Sequence, residues 1–301
     1  MIILITGAGG FIGKNILELI DCDRNEVIAT SLKKDKLVAF LKDKRIANVK
    51  VHSLNVLNFD ECISIIKNVD VVIHLAAIID VGLSLQEPKK IIDTNYCGSL
   101  NVLEAMRINK INKIIFLSTQ DVYGNNINSK EDEINDISLL NAYALSKFLC
   151  EETIKLYSNL YDINYVIFRA SNLYGKYQTR GLVHLMSERV LKNSKVEVGN
   201  NVSRDFLNVN DFVNAIMMAI DYNKNGIFNI GTGSSTTLKE LIQMMAEILD
   251  KKIDITLNKN FVRDDRSERW KEKANIENIK KWGWKLEHSL KFWLKDNLKN
   301  M

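Results

Sequence analysis

A chain of 301 residues with 46% apolar residues is long enough for one large α/β domain or for a nucleotide-binding domain with a smaller partner, and too apolar for wholesale disorder. Its net charge of +4, with lysines scattered along the chain, offers no basic face for nucleic acid or a membrane surface. Four cysteines without a CxxC pair and four dispersed histidines exclude a disulfide frame and a zinc site, and no apolar run is long enough to span a bilayer, so a cytoplasmic protein without structural metal is expected.

The first half alternates buried-strand patterns with amphipathic stretches. Strands are predicted at Ile2–Thr6, Glu26–Ser31, Val49–Leu54, Val69–Leu75 and Lys113–Ser118, with helices near Phe11–Ile20, Lys36–Leu41, Phe59–Ile66 and Asp93–Ile108. A long helix around Ala142–Leu160 precedes a sixth strand, Asn164–Arg169. This alternation predicts an α/β fold, a doubly wound parallel sheet of the Rossmann kind.

After about residue 172 the rhythm changes. Helices at Leu182–Leu191, Asp211–Ala219 and Leu238–Leu249 alternate with strands at Val196–Val198, Gly226–Ile230 and Ile253–Leu257, and the tail is a Trp-rich helical end. The expected division is a dinucleotide-binding domain over 1–172 and a smaller substrate-binding α/β lobe over 173–301, partly interleaved with the first.

Between the first strand and first helix stands Thr6-Gly7-Ala8-Gly9-Gly10-Phe11-Ile12-Gly13. Gly7 permits a sharp turn, Gly10 lets backbone approach a pyrophosphate, and Gly13 lets helix pack on strand. Helix amides and dipole then face the phosphates. Tyr143-Ala-Leu-Ser-Lys147 sets a phenol and an ammonium on one helix face, where the charge should lower the phenol's pKa and make it a proton carrier.

The glycine spacing resembles that of the short-chain dehydrogenase/reductase superfamily, and the length and later motifs resemble its extended branch, the NAD-dependent epimerase/dehydratase family acting on nucleotide sugars. The resemblance implies a cofactor groove formed by Gly7, Gly10, Phe11, Ile12 and Gly13, then by Ser31, Lys33, Asn55 and Val56. It also implies Leu75, Ala76 and Ala77 of the His74-Leu-Ala-Ala segment, with Tyr143 and Lys147 at the nicotinamide end. NAD-using members carry an acid where this chain has Ser31, followed by Lys33 and Lys34; that substitution favours NADP, with NAD the alternative. His74 reads as a packed core histidine and Asn95 as a tie for backbone around the site.

The segment Leu117-Ser-Thr-Gln-Asp-Val-Tyr-Gly124 resembles the family's S-[ST]-x-x-V-Y-G, making Thr119, Tyr143 and Lys147 the catalytic set. Where the 4,6-dehydratases place Asp then Glu, this chain has Gln120, expected near the substrate, and Asp121, either a base or substrate-orienting residue or a partner for a nearby donor. Asn172 and Arg204 resemble residues that hold the diphosphate of a nucleotide sugar. Arg204 paired with Asp205 or Asp211 is the alternative. Of Arg263, Arg266 and Arg269, Arg266 is favoured as a second phosphate ligand, and Lys176 replaces a customary proline. The implied activity is hydride transfer at a sugar carbon, C4 foremost, as a 4-ketoreductase or 4-epimerase, with a 4,6-dehydratase or a non-catalytic binder as alternatives. The implied assembly is a homodimer.

Overall fold

The computed structural model describes residues 1–133, 139–199, 202–258 and 271–300. Strand–helix alternation runs through β1 (Ile2–Thr6), α1 (Phe11–Leu19), β2 (Glu26–Ser31), α2 (Lys34–Lys44), β3 (Val49–Ser53), α3 (Phe59–Ile65) and β4 (Val71–His74). It continues with α4 (Val81–Gln86), α5 (Pro88–Ile92), a π-helical turn at Asp93–Cys97, α6 (Gly98–Ile108) and β5 (Lys113–Thr119). A 3-10 turn at Gln120–Tyr123, α7 (Ala142–Tyr161) and β6 (Asn164–Ala170) follow. Later come β7 (Asn172–Tyr174), α8 (Leu182–Lys192), β8 (Lys195–Gly199), β9 (Ser203–Arg204), β10 (Phe206–Asn208), α9 (Val209–Ile220) and β11 (Gly226–Ile230). The tail holds β12 (Thr236–Thr237), α10 (Leu238–Leu249), β13 (Asp254–Asn258), α11 (Glu277–Lys281) and α12 (Leu290–Asn297).

Seven strands form one parallel sheet in the order β11-β6-β5-β4-β1-β2-β3. From β1 the chain winds outward through β2 and β3, then returns to β4 on the other side of β1. That reversal opens a crevice between the carboxyl ends of β1 and β4, the place where open α/β sheets bind ligands. The doubly wound parallel architecture is as expected from the sequence.

Period-two alternation sorts the strand side chains onto the sheet's two faces. Ile3, Ile5, Val71, Ile73, Ile115, Val166 and Phe168 enter one core with residues of α1, α2 and α9. Leu4, Val72, Ile114, Phe116 and Ile167 enter the other, with α3, α6 and α7. Buried on both faces, these strands need the unbroken Ile/Val/Leu runs that the sequence shows. A third cluster, including Tyr174, Val183, Met186, Leu241 and Met245, underlies the smaller lobe with its parallel β8–β13 pair.

Two details depart from the predicted elements. The fourth strand is only Val71–His74, and the helix expected over Asp93–Ile108 begins as a π turn. Within that turn the Asn95 carbonyl accepts the Ser99 hydroxyl and the Cys150 thiol, while its side chain reaches Ile78. These bonds accompany the widened turn, a feature that recurs at functional sites. Further, β11 and α9 lie after residue 172 yet belong to the large sheet and its first core.

Candidate active site

The glycine turn is shaped by close approach. Gly7 has φ +67°, and a Cβ there would stand 2.8 Å from the Ala76 amide nitrogen; one at Gly13 would stand 2.5 Å from the Ala8 Cα. Gly10 caps α1 through its backbone, and no side chain accepts from the helix's first amides. Those amides, with the positive end of the helix dipole, suit a phosphate, so the residues fit a dinucleotide.

The wall opposite is fixed by a buried chain of hydrogen bonds. The Thr6 hydroxyl accepts from the Leu75 and Ala76 amides at 3.1 and 3.2 Å, so its own proton goes to His74 Nδ1 at 2.7 Å. His74 Nε2 is then the protonated nitrogen and donates to Ser99 Oγ at 2.9 Å, which donates onward to the Asn95 carbonyl. Burial, then the nearby Lys147 charge, lowers the His74 pKa to about 3, which keeps the ring neutral. His74 is thus the core histidine the sequence suggested.

At the adenine end, Ser31 Oγ accepts the Lys33 amide at 3.1 Å and lies 2.6 Å from where a Cβ on Gly9 would be. Asn55 is exposed, its side chain accepting the Leu57 amide, while Glu61 accepts the Asn55 amide. Val56 is buried, and its side chain packs on Gly98, which leaves mainly its backbone to face the groove.

Tyr143 and Lys147 occupy the first turns of α7, which Asn141 caps by accepting the Ala144 amide at 2.9 Å. Ser84 Oγ accepts the Tyr143 amide at 3.0 Å, and Ser146 bridges Asn95 to the Tyr143 carbonyl. Lys147 Nζ donates to the Leu117 carbonyl at 2.6 Å and lies 4.6 Å from the Phe116 ring centroid. Burial lowers its pKa to about 8.

The phenol departs from expectation. Burial and then the Asp121 charge raise the Tyr143 pKa, and only the hydrogen bond with the Thr119 side chain works against them. The ammonium at 147 is engaged by the Leu117 carbonyl and does not acidify the phenol in this structure. Thr119 and Tyr143 are brought together as anticipated, with Asp121 near enough for its charge to matter.

Gln120 does not face a substrate. It is buried, and its amide donates to the Arg169 carbonyl at 2.7 Å and to Asn229 Oδ1 at 2.9 Å. It belongs to a buried network beneath the site, centred on the fully buried Arg169–Glu151 pair at 2.6 Å. Arg169 also donates to the Tyr123 hydroxyl at 2.7 Å, Tyr123 donates to Asn229, and Ser118 donates to Glu151. The sequence reading missed Glu151, although its spacing of four from Lys147 placed it on the same helix face.

On the smaller lobe, Asn172 donates through its backbone and side chain to the buried carboxylate of Glu272, at 3.1 and 2.7 Å, another residue the motifs did not single out. Glu272 and the buried Arg204 meet at the Ser203 carbonyl. Neither aspartate expected as an Arg204 partner serves mainly that role. Asp205 accepts from Thr232, Gly233 and Ala274, and Asp211 accepts from His288 and the Glu287 amide. Arg263, Arg266 and Arg269 lie outside the described residues.

Comparison with known proteins bears on this arrangement. The NAD dependent epimerase/dehydratase family matches residues 3–231. A putative UDP-glucose 4-epimerase of Methanocaldococcus jannaschii is 36% identical, aligned over 98% of this chain and 99% of its own. The dTDP-D-glucose 4,6-dehydratase of Dictyostelium discoideum is 30% identical over 76% of this chain and 58% of its own. The crystal structure of the Thermotoga maritima UDP-glucose 4-epimerase with UDP-glucose superposes with a TM-score of 0.87 at 28% identity, covering 99% of this chain and 98% of the other. With a glycine turn built for a dinucleotide, a Tyr-Lys pair beside Thr119 and a match across most of its length, this chain belongs to the NAD dependent epimerase/dehydratase family.

Proposed function

We propose that the protein is a nucleotide-sugar 4-epimerase in which Tyr143 exchanges the proton of the C4 hydroxyl. The observation that carries the reading is the pairing of the Tyr143 phenol with Thr119 at the end of β5, while Gln120 next to it is turned into the buried network. A 4,6-elimination needs an acid to protonate the departing hydroxyl; an amide committed elsewhere supplies none. Relatives bearing the 4-epimerase name over the full length support the same choice.

The nicotinamide cofactor, when bound, accepts and returns the hydride. Thr119 holds the sugar hydroxyl, and Tyr143 takes its proton and later gives it back. At rest the phenol holds its proton, so forming the phenolate depends on positive charge brought close, and Lys147 is the cation placed to provide it. Asn172 and Arg204 grip the diphosphate; a guanidinium suits that bidentate task. Ser31 and Lys33 place no carboxylate against a 2′-phosphate, which supports NADP over NAD.

The exposed apolar residues Ile108, Leu156 and Leu160 on α6 and α7 support a homodimer packed through those helices. Among the described residues no helix is long and apolar enough to cross a membrane, and the four free cysteines suit the cytoplasm.

The test is incubation of the purified protein with UDP-glucose and UDP-galactose in turn. Interconversion without net change in absorbance at the reduced-nicotinamide band supports the proposal. Steady NADPH consumption with a 4-keto sugar would replace it by a 4-ketoreductase, and a 4-keto-6-deoxy product by a dehydratase acting through Asp121.

A further inference from the structure

The segment after β7 leaves the smaller lobe and fastens onto the nucleotide-binding half at two places. At one end, Lys176 Nζ donates to both carboxylate oxygens of Glu18 at 2.8 Å, and the Tyr177 hydroxyl donates to the same carboxylate. Asn15, buried on the same helix, donates to the Lys176 carbonyl at 2.8 Å. The Tyr177 ring stands edge-on to Phe40 of α2, at 5.1 Å between centroids, and Lys14 lies over both rings. At the other end, Arg180 pairs with Asp80, the cap of α4, at 3.2 Å.

These anchor points lie on either side of the crevice. Asn15 and Glu18 belong to α1, the helix that follows the glycine turn after β1; Asp80 closes the loop that follows β4. The five residues from Lys176 to Arg180 therefore run across the reversal point of the sheet, over the floor where Gly7 meets Ala76. Their backbone is built to move as a unit. Gly175 and Gly181 flank them with φ of +150° and +103°, and Tyr177 between them has φ +68°, a region that bulky side chains rarely adopt. A strained residue held in place by surrounding contacts, between two permissive glycines, is a pattern found at clamps and hinges.

We propose that Lys176–Arg180 is a strap across the cofactor crevice, latched on Glu18, that retains the dinucleotide between turnovers. The inference rests on the dinucleotide-binding reading given above and deepens it. An epimerase regenerates its cofactor within each cycle and gains from slow release, whereas a reductase must exchange it every cycle. The lysine at 176, standing where the family resemblance calls for proline, supplies the charged half of the latch. Glu18 and Tyr177 are positioning residues in this scheme, since they act on the cofactor through the strap.

The experiment measures release, not turnover. Protein loaded with NADPH or NADH is mixed with excess oxidised cofactor, and the decay of bound fluorescence gives the dissociation rate for wild type, Glu18→Ala and Tyr177→Phe. Glu18→Ala is expected to release the cofactor about tenfold faster and Tyr177→Phe several-fold faster, with wild-type release quickened by high salt as the Lys176–Glu18 attraction is screened. Unfolding midpoints recorded alongside separate an opened strap from a damaged fold. If Glu18→Ala does not fold, Tyr177→Phe, which deletes one hydroxyl, carries the test. Release rates within twofold of wild type in the folded variants overturn the strap while leaving the cofactor reading intact. A wild-type protein that binds neither NADPH nor NADH overturns both.

Discussion

Lys147 Nζ donates to the Leu117 carbonyl, two residues before Thr119 on the central strand, so the catalytic helix is pinned to the strand that carries its partner hydroxyl. The ammonium is buried against Phe116, and its nearest acceptor is a neutral carbonyl. Such a charge costs stability and is retained for what it does to the reaction.

Replacing Lys147 by Met should therefore separate the two effects. Epimerase activity is expected to fall at least 100-fold, while stability to urea at pH 7 rises by about 1–3 kcal/mol because a desolvated cation is removed. Urea unfolding curves and a coupled sugar assay on the same preparation check both halves.

Tyr143→Phe keeps the ring and deletes only the phenolic proton. The expected loss in kcat is about 10³-fold, within the range for a positioned acid–base group, with cofactor affinity and unfolding midpoint nearly unchanged. Wild-type-like turnover in this variant would remove Tyr143 from the chemistry.

His74 sets a pH dependence of stability with a definite sign. Its folded-state pKa, about 3, lies below its ordinary value of 6.5, so the unfolded chain takes up the proton first as pH falls. The contribution is fully present above about pH 6.5 and is lost progressively as pH falls from there toward 3. It amounts to a few kcal/mol by linkage. Urea midpoints at pH 7.5, 6 and 5 should decline for wild type and decline less for His74→Gln.

Much of this was legible in the chain. The Ile/Val/Leu runs gave every strand of the large sheet because buried parallel strands need apolar residues at every position. The glycine turn and the Tyr-Lys spacing were legible because both are local, set by one turn and one helical period. What escaped was long-range. Glu272 meets Asn172 across 100 positions, and Gln120 meets Asn229 across 109, and no periodicity announces such pairings. The pKa of Tyr143 was misjudged for a related reason. The spacing of four showed an ammonium nearby but not the Leu117 carbonyl that engages it, nor the Asp121 charge and the burial that push the phenol the other way.

The Arg169–Glu151 pair offers a sharper mutational signature than most core sites. Arg169→Met leaves the Glu151 carboxylate buried without its cation and should cost about 3–5 kcal/mol; the double variant Arg169→Met/Glu151→Leu should recover a large part of that. Chemical denaturation of the two variants settles the comparison.

Cofactor choice is testable at a single position. Ser31→Asp sets a carboxylate where a 2′-phosphate would lie, and NADPH binding should weaken at least tenfold relative to NADH, read by titration of nicotinamide fluorescence.

The seventh strand of the large sheet, Gly226–Ile230, is made only after some fifty intervening residues have been laid into the other lobe. A nascent chain on the ribosome therefore carries β6 as a naked edge until about three-quarters of the polypeptide has emerged, with Val166 and Phe168 awaiting cover. Cutting the gene at residue 172 would not yield two autonomous modules: the front fragment would present that open border to its neighbours and aggregate, and co-expression of both pieces would be required to close it.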